Sequence, residues 1–116
     1  MFDTKMETAL ENLKAAMVSN YESWQTLGGK PRTEVQAQML DEYINTIRIE
    51  EGRKYIKVIT RSSVWGFIVK GKDSKFQVGD ILMAAGWAAP ARNKARGNVL
   101  SGDLSMVRWT GPEYLK

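Results

Sequence analysis

Cysteine and histidine are both absent from these 116 residues. Without cysteine there is no disulfide and no thiolate nucleophile. Without histidine, the commonest general base and the commonest metal ligand are missing. A Ser-His-Asp triad, a Cys-His pair and an ordinary zinc site are therefore excluded. Long apolar runs are lacking as well. The first apolar positions are interleaved with Asp3, Lys5, Glu7 and Glu11, unlike a secretory leader. The most apolar stretch, Val78 to Ala91, is broken by Gly79, Asp80 and Gly86 and is too short to span a bilayer. The expectation is a cytoplasmic protein with no membrane partner, no metal and no cofactor.

What is present is ordinary globular material, 43% hydrophobic and 26% charged. One domain spanning 1–116 is expected, and a chain of this size buries roughly two-thirds of its unfolded surface without a staple. The charge is uneven. Residues 1–52 hold five Lys/Arg and nine Asp/Glu, whereas residues 53–116 hold twelve and four, so a net −4 gives way to +8. Such a split serves either attraction between the halves or a basic face for an anionic partner.

Periodicity divides the chain at the same place. Thr4 and Glu7 fit a capping box. Met6, Leu10, Leu13, Met17, Tyr21 and Trp24 then recur at helical spacing, with Gly28-Gly29 as the expected stop. Pro31 and Thr33 open a second helix, capped by Thr33 and Gln36, with Val35, Met39, Tyr43 and Ile47 as its stripe and Leu40 and Ile44 widening it. A helical hairpin over 1–48 follows. Thr46 to Glu50 already alternates like a short strand. From residue 49 the chain is β-rich. Lys54 to Thr60 and Val64 to Lys70 read as strands joined by the turn Arg61-Ser62-Ser63. Gly66 interrupts the second strand, marking a bulge or the close approach of another backbone or ring. Beyond Phe76 two readings compete. Asp80 either caps a short helix, Ile81 to Ala85, or sits in a turn entering a strand; Ala84-Ala85-Gly86 favours the helix. Ala91 to Arg96 reads as a helical turn, and Leu104 to Thr110 as a last strand stopped by Gly111-Pro112. The fold class is α+β: an N-terminal antiparallel helical hairpin packed on a small antiparallel sheet, with a loop-rich, short-helix insertion.

Several segments carry a resemblance: Gly52-Arg53-Lys54-Tyr55-Ile56-Lys57, Val64-Trp65-Gly66-Phe67-Ile68-Val69, Phe76, Gly79-Asp80-Ile81-Leu82, Ala84-Ala85-Gly86-Trp87 and Pro90-Ala91. Asn93-Lys94-Ala95-Arg96-Gly97-Asn98 and Trp109-Thr110-Gly111-Pro112 complete it. Over somewhat more than half its length the chain resembles a small uncharacterised protein family of marine tailed bacteriophages, those of cyanobacteria especially. The likeness implies a viral accessory protein made in a bacterial cytoplasm. It brings no functional residues with it.

Four groups of residues are candidates for function. Lys70, Lys72 and Lys75 fall in one loop, and Arg92, Asn93, Lys94 and Arg96 in another. Lys and Arg neutralise phosphates, and an exposed Trp87 would stack on a base. The competing reading is solvated loop charge with Trp87 in the core. Trp65, Trp87 and Trp109 either line a groove or interface, or fill the core between sheet and helices. Among the carboxylates, Glu50 and Glu51 point to opposite faces of a strand, and Asp73, Asp80 and Asp103 sit where aspartate bends backbone, so no catalytic residue is expected and the protein is not read as an enzyme. The stripe of Met6, Met17 and Met39 with Leu10 and Leu13 serves either self-association or burial in its own domain. Two functions stand out. The first is a protein-interaction module with a host or phage partner or with itself. The second is a nucleic-acid-binding accessory protein using a basic loop surface.

Overall fold

The structure, a computed structural model, describes residues 4–61 and 63–112. The helical expectation holds in outline. Helix α1 spans Thr4–Gln25 and α2 spans Glu34–Thr46. Between them Leu27–Gly29 make a single 3-10 turn, so α1 ends at Gln25, before the glycine pair. Gly29 takes a φ of 77°, the left-handed conformation that glycine adopts most easily. At the start of α2 the capping box forms as its sequence specifies: Thr33 Oγ1 accepts from the Gln36 amide while Gln36 Oε1 accepts from the Thr33 amide. Gln25 and Gln36 lock the two helices through reciprocal side-chain bonds to each other's carbonyls, at 2.6 and 3.2 Å.

Four strands follow in one antiparallel sheet of order β1-β2-β3-β4. They are β1 (Arg48–Glu51), β2 (Tyr55–Thr60), β3 (Ser63–Val69) and β4 (Ile81–Leu82). The turn between β2 and β3 includes Ser62, outside the described residues. A small second sheet pairs β5 (Val107–Arg108) with β6 (Gly111–Pro112).

The β2–β3 register carries the feature expected at Gly66. Val58 pairs with Gly66 and Ile59 with Val64, leaving Trp65 as the extra residue of a bulge. The bulge turns Trp65 to the helix side of the sheet, where it is buried and its indole donates to the Arg108 carbonyl at 2.7 Å. Two contacts require the glycine: a Cβ on residue 66 would lie 2.9 Å from the Leu82 carbonyl oxygen and 3.3 Å from the Pro112 ring.

Alternation gives the sheet two covered faces. Ile56, Val58, Ile68 and Ile81 pack with Trp65 against Met6, Leu10, Leu13 and Met17 of α1. Phe67, Val69 and Leu82 face the other way and are covered by Phe76, Ala84 and Ala95 from the long connection after β3. At the end of α1, Tyr21, Leu40 and Tyr43 form a third cluster with Trp109 on its border. Tyr21 and Tyr43 stack 4.7 Å apart, and the Tyr43 hydroxyl donates to the Trp109 carbonyl at 3.0 Å. Burial pushes the Tyr43 phenol far above its ordinary pKa, so this donor stays protonated.

Beyond Phe76 the structure departs from expectation. Ile81 to Ala85 is no helix: Ile81 and Leu82 are strand β4. Asp80 does not cap forward. Its carboxylate accepts from the preceding Gln77 amide and from Asn98 Nδ2, closing the turn that enters the strand. Ala91 to Arg96 is not helical either. It runs beside β4, with Arg96 N–H donating to Ile81 O and Ile81 N–H to Gly97 O. Finally, Gly111-Pro112 does not simply stop the last strand but pairs with Val107-Arg108 as its partner.

Candidate nucleic-acid interface

The connection from β3 to β5 builds the surface on which most of the expected site residues lie. Its organising group is Asp73, whose side chain is 1% accessible. One carboxylate receives two bonds from the Arg92 guanidinium, each 3.0 Å, and an ion pair from Lys54 at 3.2 Å. It also accepts from the backbone N–H groups of Lys75 and Phe76. The Arg92 bonds, foremost among these donors, hold the Asp73 carboxyl well below the usual carboxylate range. Asp73 likewise pushes Arg92 upward, and the Tyr55 hydroxyl adds a bond to the same guanidinium. Lys75 Nζ reaches the Arg92 carbonyl. Lys70 bonds the Gly52 carbonyl and forms an ion pair with Glu51, which lowers the pKa of that carboxyl.

Lys70, Lys75 and Arg92 therefore gather with Lys54 around the β1–β2 turn. The charges of Lys54, Lys70 and Arg92 are tied to Asp73 and Glu51, whereas the Lys75 ammonium is held by a carbonyl. Four further cations, Arg53, Lys57, Lys72 and Lys94, make no ion pair among the described residues. Arg53, Lys54 and Lys57 line one concavity of 270 Å³ together with Tyr55, Phe67, Glu50 and Ala88.

Trp87 stands at the edge of that concavity. Ala84 pairs with Pro90, Ala91 N–H donates to Met83 O, and Ala85 N–H donates to Ala89 O, so residues 83–91 form a tight hairpin with Gly86-Trp87-Ala88 at its tip. Ala85 to Ala89 are all exposed, Trp87 at 54%. The Lys57 ammonium sits 4.7 Å from the centre of the Trp87 ring. Sequence reasoning missed Lys57, Arg53 and Lys54 as members of this surface. The signal available was the side-to-side alternation of β2, which puts Tyr55 and Lys57 on the face opposite Ile56 and Val58.

Two expected members do other work. Arg96 is 2% exposed, far from a solvated position. Its guanidinium donates to Asn93 Oδ1 at 2.9 Å and to the Lys94 carbonyl at 3.0 Å, bracing its own loop from within. Asn93 is exposed, but its amide oxygen is used by Arg96 and by the Lys94 N–H. The tryptophans divide: Trp65 is core, Trp109 half-buried and Trp87 exposed. The methionine stripe divides too. Met6, Met17, Leu10 and Leu13 are buried within the domain, leaving Met39 open.

Among the described residues no group of acidic side chains is placed to hold a metal ion. No helix there is long and apolar enough to cross a membrane. Compared with protein-family models, curated proteins and solved structures, the chain matches none of them.

Proposed function

We propose that this protein binds single-stranded nucleic acid on the face built by the β1–β2 turn and the 83–91 hairpin. The observation that carries the reading is the exposed Trp87 ring at the tip of a hydrogen-bonded hairpin, with Lys57 against it and Arg53 in the adjoining concavity; Arg53, Lys72 and Lys94 make no ion pair among the described residues. A base stacks on an open indole without regard to its identity, and cations follow the phosphates. Only an unpaired strand offers its base faces, hence the single-stranded substrate. Asp73 and Glu51 then have a supporting part. They fix Arg92, Lys54 and Lys70 in place and keep the turn and the loop in one arrangement.

The test is a titration of a fluorescently labelled single-stranded oligonucleotide at several salt concentrations. Affinity should fall steeply as salt rises. Trp87→Ala should weaken it about tenfold, in line with about 1–3 kcal/mol for one base–aromatic stack. Lys57→Gln should lower the salt slope by about one. No binding at low salt, or binding indifferent to both changes, overturns the reading.

A second reading rests on a different observation. At the end of the helix pair Trp24 and Leu27 are exposed at 50% and 68%, and with Trp109 they line a groove of 420 Å³. Large apolar side chains around a concavity mark a protein-docking surface. The resemblance to a phage protein family fits either role, since both belong to a viral accessory protein in a bacterial cytoplasm.

A further inference from the structure

The groove and the outer face of α2 have opposite shapes and opposite charge. Asn20, Ser23, Trp24, Leu27, Arg108, Trp109 and Thr110 line the groove, so its described lining includes an arginine and no carboxylate. A second arginine, Arg61, lies 6.0 Å from the Trp109 ring. Helix α2 is the converse. Val35 and Met39, one turn apart, are exposed at 64% and 37%. The helix contains Glu34, Asp41 and Glu42 and no lysine or arginine. None of those three carboxylates makes an ion pair among the described residues.

The intramolecular pairing of charge points the same way. Arg32–Glu22 and Lys14–Glu11 stay within the acidic half of the chain, and Lys54–Asp73 and Arg92–Asp73 within the basic half. Among the described residues only Lys70–Glu51 joins the two. Among the described residues the charge split is therefore little used in pairing the two halves.

We propose that the chain associates with a second copy of itself, α2 of one molecule seating Val35 and Met39 in the Trp24–Leu27–Trp109 groove of the other. Glu34, Asp41 and Glu42 then approach the Arg61 and Arg108 side of the groove. This is the helix-in-groove mode, with apolar anchors at i and i+4. Each chain carries both halves of the contact. Reciprocal docking closes as a two-fold dimer, whereas one-way docking grows a chain of molecules; both are outcomes of the same pair of surfaces. The proposal rests on the docking reading of the groove and names its occupant.

The experiment is sedimentation of the full chain from micromolar to near-millimolar concentration, with three variants at exposed positions. The wild type should associate reversibly. Leu27→Glu and Met39→Glu should each weaken association at least about tenfold, the scale of an interface hot spot. Leu27→Lys should weaken it less than Leu27→Glu, because the incoming helix is acidic. Circular-dichroism melts that coincide with the wild type's would show each variant folded. A chain that stays monomeric, or associates equally well in all three variants, overturns the proposal. Acrylamide quenching of the monomer, taken as the difference between wild type and Trp24→Phe, separates this failure from that of the docking reading. A quenchable Trp24 in a monomeric chain leaves the groove open to a different protein, and a shielded one removes the docking surface as well.

Discussion

Asp73 illustrates how one residue can decide the behaviour of a surface without touching a ligand. Its carboxylate is closed off from water and surrounded by five donors from two loops and a strand end, all of which favour the charged form. The sign of its pH dependence follows. Folding lowers its pKa, so its contribution is complete above the unfolded value of about 3.9 and fades as pH falls below it toward the depressed folded value. Thermal melts of the wild type should lose stability through that acid window. Asp73→Asn, which keeps the shape and removes the charge, should melt lower at neutral pH and approach the wild type as the pH drops. Equal melting points at pH 7 would show that the carboxylate holds nothing together. From the sequence Asp73 was legible only as a turn-former in a charged loop. Its ionic role depends on Arg92, nineteen positions away, and pairing across such a span leaves no trace in local spacing.

At the scale of elements, legibility followed the length of the periodic signal. Helix α1 repeats its apolar positions through more than five turns, and β2 and β3 are rich in branched and aromatic residues, so tertiary packing only confirmed a local preference. The insertion failed for the opposite reason. Ile81 to Ala85 is too short for helical and extended patterns to differ, and alanine propensity lost to a backbone partner: residues 96–99 run alongside, Gly97 O accepting from the Ile81 amide and Arg96 N–H donating to Ile81 O. Gly79, with φ of 95°, turns the chain into that pairing. Trp24 and α2 show another limit. A stripe tells which side of a helix is apolar, but not whether the domain has enough surface to cover it, and here Val35, Met39 and Trp24 remain outside. The signal at Gly66 was read correctly because a glycine inside a strand has few causes. It gives a direct prediction: Gly66→Ala forces a methyl against the Leu82 carbonyl and the Pro112 ring, and should cost about 1–3 kcal/mol in chemical denaturation. The damage should reach the β6 contact first. A variant as stable as the wild type would mean that β4 and β6 yield freely, contrary to the close packing of this sheet.

On the scale of the whole molecule, 46 × 34 × 25 Å, the two proposed surfaces belong to different elements. The nucleic-acid face belongs to β2 and the loops beyond β3. The self-association face belongs to α2 and the joint of α1 with Trp109. Arg53, Lys57, Lys72 and Trp87 are not among the residues that line the groove, so each surface can be removed without the other: Leu27→Glu should bind a short oligonucleotide as the wild type does, and Trp87→Ala should sediment as the wild type does. Joined, they have a consequence that neither has alone. Two copies held together present two strand-binding faces, and a strand long enough to cross both converts the second binding event into an intramolecular one. Affinity should then rise with oligonucleotide length beyond the footprint of one copy, by about a hundredfold for the first strand that spans both. Leu27→Glu should abolish that rise while leaving the short-strand affinity intact. The length dependence, compared between wild type and Leu27→Glu, reads the coupling of the two surfaces. A rise that survives in Leu27→Glu would come from the strand offering more sites, and a flat profile in an associating wild type would mean that the paired copies point their tryptophans apart.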